Sequence, residues 1–203
     1  MTIKNKITAF IFAVFLMPTV SMAQTKSGFG VEAGYAWVDT KAEENAQYIA
    51  DLSGRTTTVS YDKAALTGRI FGYHDFDDQF GIQFGYFQTG SLDQTLTNSA
   101  GSGTISYDGY GFDLAGVFKP NKSGFFGKIG AHQSKVNGSA SVTGVGGTYA
   151  LKASESGNGY LAGVGYESPV DKNMSWTVGI TYYDSLGGLN GADATFVSVG
   201  LKF

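Results

Sequence analysis

Cysteine is absent from this chain of 203 residues, proline occurs three times, and basic side chains do not outnumber acidic ones. Without cysteine, the fold is not held by disulfides. After residue 23, no apolar run approaches the roughly 20 residues that a membrane-spanning helix needs, so any membrane span has to consist of strands. The net charge of −3 and the lack of a basic stripe argue against nucleic acid as a partner.

The first 23 residues have the pattern of a secretory signal peptide. Lys4 and Lys6 precede an apolar run over residues 7–17, and Ser21 and Ala23 are the small residues at the positions that signal peptidase reads. We therefore expect residues 1–23 to be removed and residues 24–203 to form one exported domain.

Alternation between apolar and polar side chains is the main feature of the exported part. Side chains in a strand change face at every residue, so alternation predicts strands with one apolar face. The pattern is clearest at the C-terminus, where Thr195, Val197 and Val199 alternate with Phe196 and Ser198. Eight such segments occur, at about residues 28–38, 64–74, 80–89, 107–118, 125–135, 159–167, 175–183 and 194–203.

The links between these segments alternate between short and long. Short links occur at about residues 75–79, 119–124 and 168–173, and long links at about 39–63, 90–106, 136–158 and 184–193. A soluble sandwich shows the same alternation within strands, but this rhythm of links is typical of an outer-membrane barrel. We therefore predict an all-β fold, an eight-stranded antiparallel up-and-down transmembrane β-barrel, with both termini in the periplasm.

Polar side chains on the faces opposite the apolar ones are predicted to line the barrel interior. They are Glu32, Arg69, Gln83, Asp113, Lys128, His132, Thr177 and Lys202, together with Ser198. An eight-stranded barrel is just wide enough for side chains to fill it, so a closed polar core is favoured over an open pore. Arg69 is expected to pair with Glu32 or Asp113, because its guanidinium fork matches a carboxylate.

Two of the long links also alternate. Residues 92–97 and 103–107 flank one polar turn, and residues 136–142 and 148–154 flank the glycine-rich stretch 144–147. We predict that the third to sixth strands continue beyond the membrane as a protruding sheet. Exposed polar loops are expected at Asn45, Gln47 and Asn190-Gly191. Aromatic side chains near the strand ends are predicted to form the interfacial girdles: Tyr35, Trp37, Tyr73, Phe76, Phe118, Tyr166, Trp176 and Phe203.

Four short stretches carry a family resemblance. GRIFGY at 68–73, GIQFGY at 81–86, LAGVGY at 161–166 and VGLKF at 199–203 resemble strands of the OmpA-type membrane domain. The eight-strand plan, with nothing after the barrel, is more similar to the OmpX/Ail group of small outer-membrane proteins. The resemblance implies that Phe203 is the aromatic residue read by the barrel-assembly machinery. It also implies roles at the cell surface: adhesion, resistance to host defences or envelope integrity.

Two departures from OmpA limit what the resemblance implies. The chain lacks the periplasmic peptidoglycan-binding domain, so a cell-wall tether is not expected. Gly165 and Thr177 stand near positions where OmpA has interior charged residues, so its ion-pair gate is not expected either.

Three functions remain open from the sequence. The favoured one is a monomeric surface protein whose extracellular hairpins bind a host protein, another cell or lipopolysaccharide, in contact with outer-membrane lipid. The alternative is a narrow channel, which a stable unitary conductance sensitive to Arg69 or Lys128 would reveal. A lipid A-modifying enzyme is the third.

Catalysis and metal binding have little support in the sequence. The only histidines are His74 and His132, and no serine, base and acid are seen to converge around either. Ser134 lies two residues from His132, on the same predicted face. Asp75, Asp77 and Asp78 fit a solvated turn better than a calcium loop. No catalytic residue, cofactor or metal is therefore expected.

Overall fold

The computed structural model of the protein describes residues 26–39, 58–99, 101–120, 124–144 and 147–203. The predicted signal peptide and the predicted loop positions Asn45 and Gln47 lie outside these residues. Almost all of the described chain is strand. The strands are β1 (Lys26–Asp39), β2 (Thr58–Tyr61), β3 (Ala65–Asp75), β4 (Phe80–Thr89), β5 (Leu92–Asn98), β6 (Gly101–Phe118), β7 (Phe125–Gly144), β8 (Gly147–Pro169), β9 (Ser175–Tyr183) and β10 (Asp193–Lys202).

Eight of these strands close into an antiparallel barrel. Around the ring the order is β6, β4, β3, β1, β10, β9, β8 and β7, and pairing of β6 with β7 closes it. The first and last strands are neighbours, with Gly30 opposite Lys202 and Asp39 opposite Asp193. The predicted eight-stranded up-and-down barrel is therefore confirmed. Both described chain ends lie at the end of the barrel that carries the short turns.

Strands β6, β7 and β8 continue past the barrel and form a sheet with β5 and β2, which we call the protruding sheet. Its order is β2, β5, β6, β7 and β8. Two details differ from the sequence prediction. The third barrel strand, β4, does not continue into the protruding sheet as one strand, because Gly90 and Ser91 separate it from β5. Strand β2 lies in the first long link, which was expected to be a loop. Its four residues are too few to show an alternating pattern in the sequence.

The two faces of the barrel wall differ sharply. Apolar side chains on the outer face are exposed, among them Leu66, Phe84 and Ile129, whereas Arg69, Asp113 and Lys128 on the inner face are buried. This is the arrangement expected when hydrocarbon surrounds the barrel. Tyr73 was predicted to join the outer girdle, but it faces inward. Its hydroxyl donates to the carbonyl of Phe203 at 3.1 Å, and its ring lies 4.0 Å from the Lys202 ammonium.

This polarity reverses where the protruding sheet begins. The β6–β7 register runs without interruption from Phe118 opposite Gly127 to Gly101 opposite Gly144, so each face of the barrel continues into the sheet. On the side that continues the barrel interior, the cross-strand rows become apolar, for example Ile105, Ala140 and Leu151. On the side that continues the lipid-facing wall, the rows become polar: Asp108 lies opposite Asn137, and Ser and Thr predominate toward the tip.

Helix is almost absent from the described residues. The last long link contains a single 3₁₀ turn, Leu186–Gly188, in which Gly187 has φ 67°. Among the residues that the structure describes, no helix is long and apolar enough to cross a membrane.

Candidate functional site

The barrel interior is filled in three layers, and the lowest is an ion network beside the short turns. Lys202 on β10 donates to Glu167 on β8 at 2.9 Å, and Lys119, just after β6, donates to Asp75 on β3 at 2.9 Å. Lys119 is also 3.4 Å from Glu167, and Lys202 is 3.9 Å from Asp75. We call these four residues the lower ion network. Across the lumen it joins β3, β8 and β10 to the residue that follows β6.

Lys119 lies outside the strands, and its environment keeps it charged. Burial alone would lower the pKa of Lys119, but the hydrogen bond to Asp75 and the charge of Glu167 outweigh it and raise the pKa. Asp75 was predicted to belong to a solvated turn, yet it is buried because it faces the lumen. Asp77 caps that turn, accepting from the backbone N–H groups of Gln79 and Phe80 at 2.7 Å each.

The middle layer is built around Arg69. Its Nε and Nη2 donate to the two carboxylate oxygens of Asp113 at 2.9 and 2.7 Å. Its Nη1 donates to Glu32 at 3.3 Å and to Gln83 at 3.2 Å. Both carboxylates considered as partners from the sequence thus contact the same guanidinium. Gly85 leaves room for the guanidinium, because a Cβ there would lie 2.6 Å from Arg69 Nε.

The remaining residues predicted to be interior also face the lumen. Lys128 and Thr177 are buried in the barrel wall. Lys128 lies against Gly163, where a Cβ would be 3.0 Å from its Cε. Ser198 lines a cavity beside Arg69 and Glu32.

The top layer is aromatic, a feature that the alternating pattern did not predict. Phe87, Tyr183 and Phe196 stack around one another with ring centroids 4.6–5.7 Å apart. Leu161 and Leu186 complete this cluster, and Leu186 comes from the link that was expected to be exposed. Alternation places Phe87 and Phe196 on inner faces. Apolar residues of a membrane barrel are expected to face the lipid, however, so alternation gave no reason to expect an aromatic cluster in the lumen.

Hydrogen bonds with His132 and Ser134 fix the last long link, residues 184–193, above this aromatic cluster. The Nε2 of His132 is 2.7 Å from the Asp184 carbonyl, and the Ser134 hydroxyl accepts from the Gly187 N–H at 2.8 Å. Both side chains thus bond to the backbone of the last link, and they are not arranged as a base and its nucleophile. A second serine and histidine pair that the sequence did not reveal, Ser27 and His74, lies on the exposed outer rim, with Ser27 Oγ 2.7 Å from His74 Nδ1.

The interior leaves little free space around Arg69. A cavity of about 10 Å³ lies between Glu32, Arg69, Thr181 and Phe196. This is room for about one water molecule. Among the described residues, no group of three or more His, Asp and Glu side chains is placed to hold a metal ion. The lumen is thus a packed polar and aromatic core.

Replacing Lys202 by methionine should weaken the barrel by about 1–3 kcal/mol, the usual range for losing a charge-assisted hydrogen bond. The loss should stay moderate because Lys119 remains beside both Asp75 and Glu167. Urea unfolding of the detergent-solubilised barrel measures it. Lys152→Met, which removes an exposed cation of the protruding sheet, is the matched control, and an equal loss in both variants would contradict the role of the lower ion network.

Among the described residues, the protruding sheet ends in β2 on one side and in an open edge of β8 on the other. Strand β8 pairs with β7 along its length, whereas its pairing with β9 begins only at Leu161 opposite Tyr183. Among the described residues, the part of β8 from 147 to 156 therefore has a strand neighbour on one side. Beside this edge Val142, Tyr149 and Leu151 are 54%, 70% and 75% exposed on the face that continues the barrel interior.

A closed barrel with an apolar outer wall and a filled polar lumen defines a transmembrane β-barrel protein. The family described as outer membrane protein beta-barrel domain matches residues 7–203. The chain belongs to this family, and the protein is located in the outer membrane. No curated protein sequence matches it significantly.

Solved structures of small outer-membrane barrels are similar to the chain. One is Ail, the attachment invasion locus protein of Yersinia pestis, solved with the heparin analogue sucrose octasulfate (13% identity, 87% of this chain and 97% of that chain covered, TM-score 0.47). Another is Neisserial surface protein A (18%, 88% and 97%, 0.40). A third is OprG from Pseudomonas aeruginosa (11%, 88% and 97%, 0.42). At these identities the likeness is one of fold.

Proposed function

We propose that the protein is a cell-surface binding protein whose protruding sheet takes a polypeptide partner of a host or a neighbouring cell by strand addition. The observation that carries this proposal is the open edge of β8 beside exposed apolar side chains. Unpaired backbone N–H and C=O groups on an edge strand form a template for another strand. Adhesion, serum resistance and envelope integrity are the roles that such binding serves.

The chemistry of the edge supports a protein partner. The tip of β8, residues 147–151, carries no charge, although exposed strand edges are usually protected by charged residues or proline. Tyr149 and Leu151 point to the same side, so an added strand with alternating apolar residues would cover both. Full burial of one such side chain contributes about 1.5–3 kcal/mol.

The proposal includes the orientation of the barrel. Short turns and both chain ends lie at one end and the protruding sheet at the other, so the first end faces the periplasm and the sheet faces outward, as in other outer-membrane barrels. Phe203, whose ring stacks on Phe29 at 5.1 Å, is the residue offered to the assembly machinery. A single chain completes the barrel, so we propose a monomer.

The test is attachment of expressing bacteria to cultured host cells, together with survival in serum. Deleting residues 137–156 should leave a heat-modifiable barrel and lower both readouts. Leu151→Asp should lower attachment about tenfold or more, because a buried leucine contributes at least the 1.4 kcal/mol that a factor of ten requires.

The matched control is Ala150→Asp, which adds the same charge one residue away on the opposite face. It should bind nearly as well as the parent protein. Equal loss in the two variants, or unchanged attachment and serum survival after the deletion, would refute binding through this edge.

A further inference from the structure

The last long link is folded over the mouth of the barrel at the end that carries the protruding sheet. Its Leu186 is 4% exposed and packs within the aromatic cluster. The link also closes on itself, because the Leu186 N–H donates to the Ala192 carbonyl at 2.8 Å and the Ser185 N–H donates to the Asp193 carboxylate at 3.0 Å. It is thus built to move as one unit.

The closed conformation of this link contains a residue in an unfavourable backbone conformation. Ser185 has φ 53° and ψ 54°, in the left-handed region that a residue with a Cβ rarely adopts. Such a conformation persists only where the surroundings hold it. Here the holding contacts to the barrel include Leu186, the hydrogen bond of Ser134 to Gly187 and that of His132 to Asp184. Loss of one of these contacts should therefore favour an open link.

His132 is buried with one ring nitrogen bonded and the other without a partner. A carbonyl can only accept, so Nε2 carries the proton that is donated to Asp184. In the neutral ring Nδ1 is then a bare acceptor. Among the described residues it is the single buried side-chain nitrogen or oxygen atom without a hydrogen-bond partner, and the residue is 3% exposed. The site therefore fits a neutral imidazole.

The groups around the ring leave a second N–H without an acceptor. The titratable groups that face it are Asp113 on β6, Tyr183 on β9 and Asp184 on the link, whereas β4 and β8 bring Phe87 and Gly159. Both oxygens of Asp113 accept from Arg69, and one also accepts from the Tyr183 hydroxyl at 3.2 Å. The Asp184 carboxylate pairs with Tyr160 on the outer wall. These carboxylates are thus already engaged.

We propose that the last long link is an acid-released lid, which opens when His132 takes up a proton at Nδ1. In the closed form that proton adds a buried charge and an N–H with no acceptor, which is costly. In the open form the ring reaches water, which accepts the N–H and solvates the charge. The closed form is therefore favoured while the ring is neutral, and it is lost as the pH falls through the range in which histidine titrates. Opening uncovers the aromatic cluster at the mouth of the barrel.

The experiment uses the absence of cysteine, which allows a single spin label on the link. Leu189 lies within the link and is 40% exposed, so Leu189→Cys carries the label without disturbing the aromatic cluster. The full-length barrel is placed in lipid nanodiscs, and the pH is lowered from about 8 to about 5. Uptake of one proton should raise the ratio of mobile to immobile label by up to about tenfold per pH unit. Heat modifiability at both pH values shows that the barrel stays folded.

The two histidines of the chain provide matched variants in the Leu189→Cys background. His132→Gln keeps an N–H donor for the Asp184 carbonyl, and His132→Phe keeps a ring. Neither can take up a proton at this position, so the label should not respond to acid in either variant. His74→Gln removes the histidine of the exposed rim and should keep the full response. A parent label that stays immobile at low pH, an acid response that survives in either His132 variant, or a response that comes with unfolding of the barrel would each overturn the proposal.

Discussion

Replacing Arg69 by methionine should destabilise the barrel by about 3–5 kcal/mol, the cost of leaving a buried charge without its partner. The side chain of Asp113 is fully buried and that of Glu32 is nearly so, and the two carboxylates share this one guanidinium. Urea unfolding in detergent, followed by tryptophan fluorescence, gives the free energy.

Two further variants show whether the loss comes from the stranded charge. Arg69→Met with Asp113→Leu should regain much of the stability, since replacing both members of a buried pair by apolar residues is often nearly neutral. Lys152→Met removes a cation that is exposed to water and should stay within about 0.5 kcal/mol of the parent. A small loss for Arg69→Met, or no recovery in the double variant, would mean that the middle layer is hydrated.

The barrel was predictable from the sequence because side chains in a strand alternate with a period of two residues, so the face of one residue fixes the face of the others. Once Leu66 and Ile70 face lipid, Arg69 between them must face the lumen, and the same parity places Asp113 and Lys128 there. The limits of β4 and β9 were predicted residue for residue, since turn chemistry bounds both strands closely.

Parity gives the face of a residue but not its neighbours across the lumen. Nothing in the sequence indicates that Asp75, Lys119, Glu167 and Lys202 converge, because the shear of the barrel decides which strand ends meet. Leu186 was expected in an exposed link for a similar reason, as only the folded chain offers it Phe87 and Phe196 to pack against. Composition cannot anticipate a long-range contact of this kind.

The reversal of polarity along β6, β7 and β8 has a simple physical cause. Inside the membrane the outer face meets hydrocarbon, so its side chains are apolar, and the lumen accepts polar groups that pair. Above the membrane the outer face meets water and headgroups, so Ser and Thr replace the apolar residues there. The point along each strand at which the apolar face changes sides therefore marks the membrane surface.

The same substitution on either side of that boundary should have very different costs. Ile129 and Ser139 lie on the outward face of β7, and Ile129 is 72% exposed to the surroundings of the barrel. Ile129→Arg should cost about 2–4 kcal/mol, because it places a charge against hydrocarbon near the bilayer centre. Ser139→Arg should cost about 0–1 kcal/mol, because its side chain reaches headgroups and water.

Unfolding in lipid vesicles measures both costs, and transfer to detergent micelles provides a further comparison. A thinner and more pliable micelle should reduce the penalty of Ile129→Arg and leave Ser139→Arg unchanged. Equal costs in vesicles would place both residues in the same solvent, and a water-soluble sandwich would then explain the alternation as well as a membrane barrel does. A large cost for Ser139→Arg alone would indicate that the membrane surrounds the protruding sheet. That outcome is not expected, because the hydroxyl groups on the outward face of the sheet would then lie in hydrocarbon.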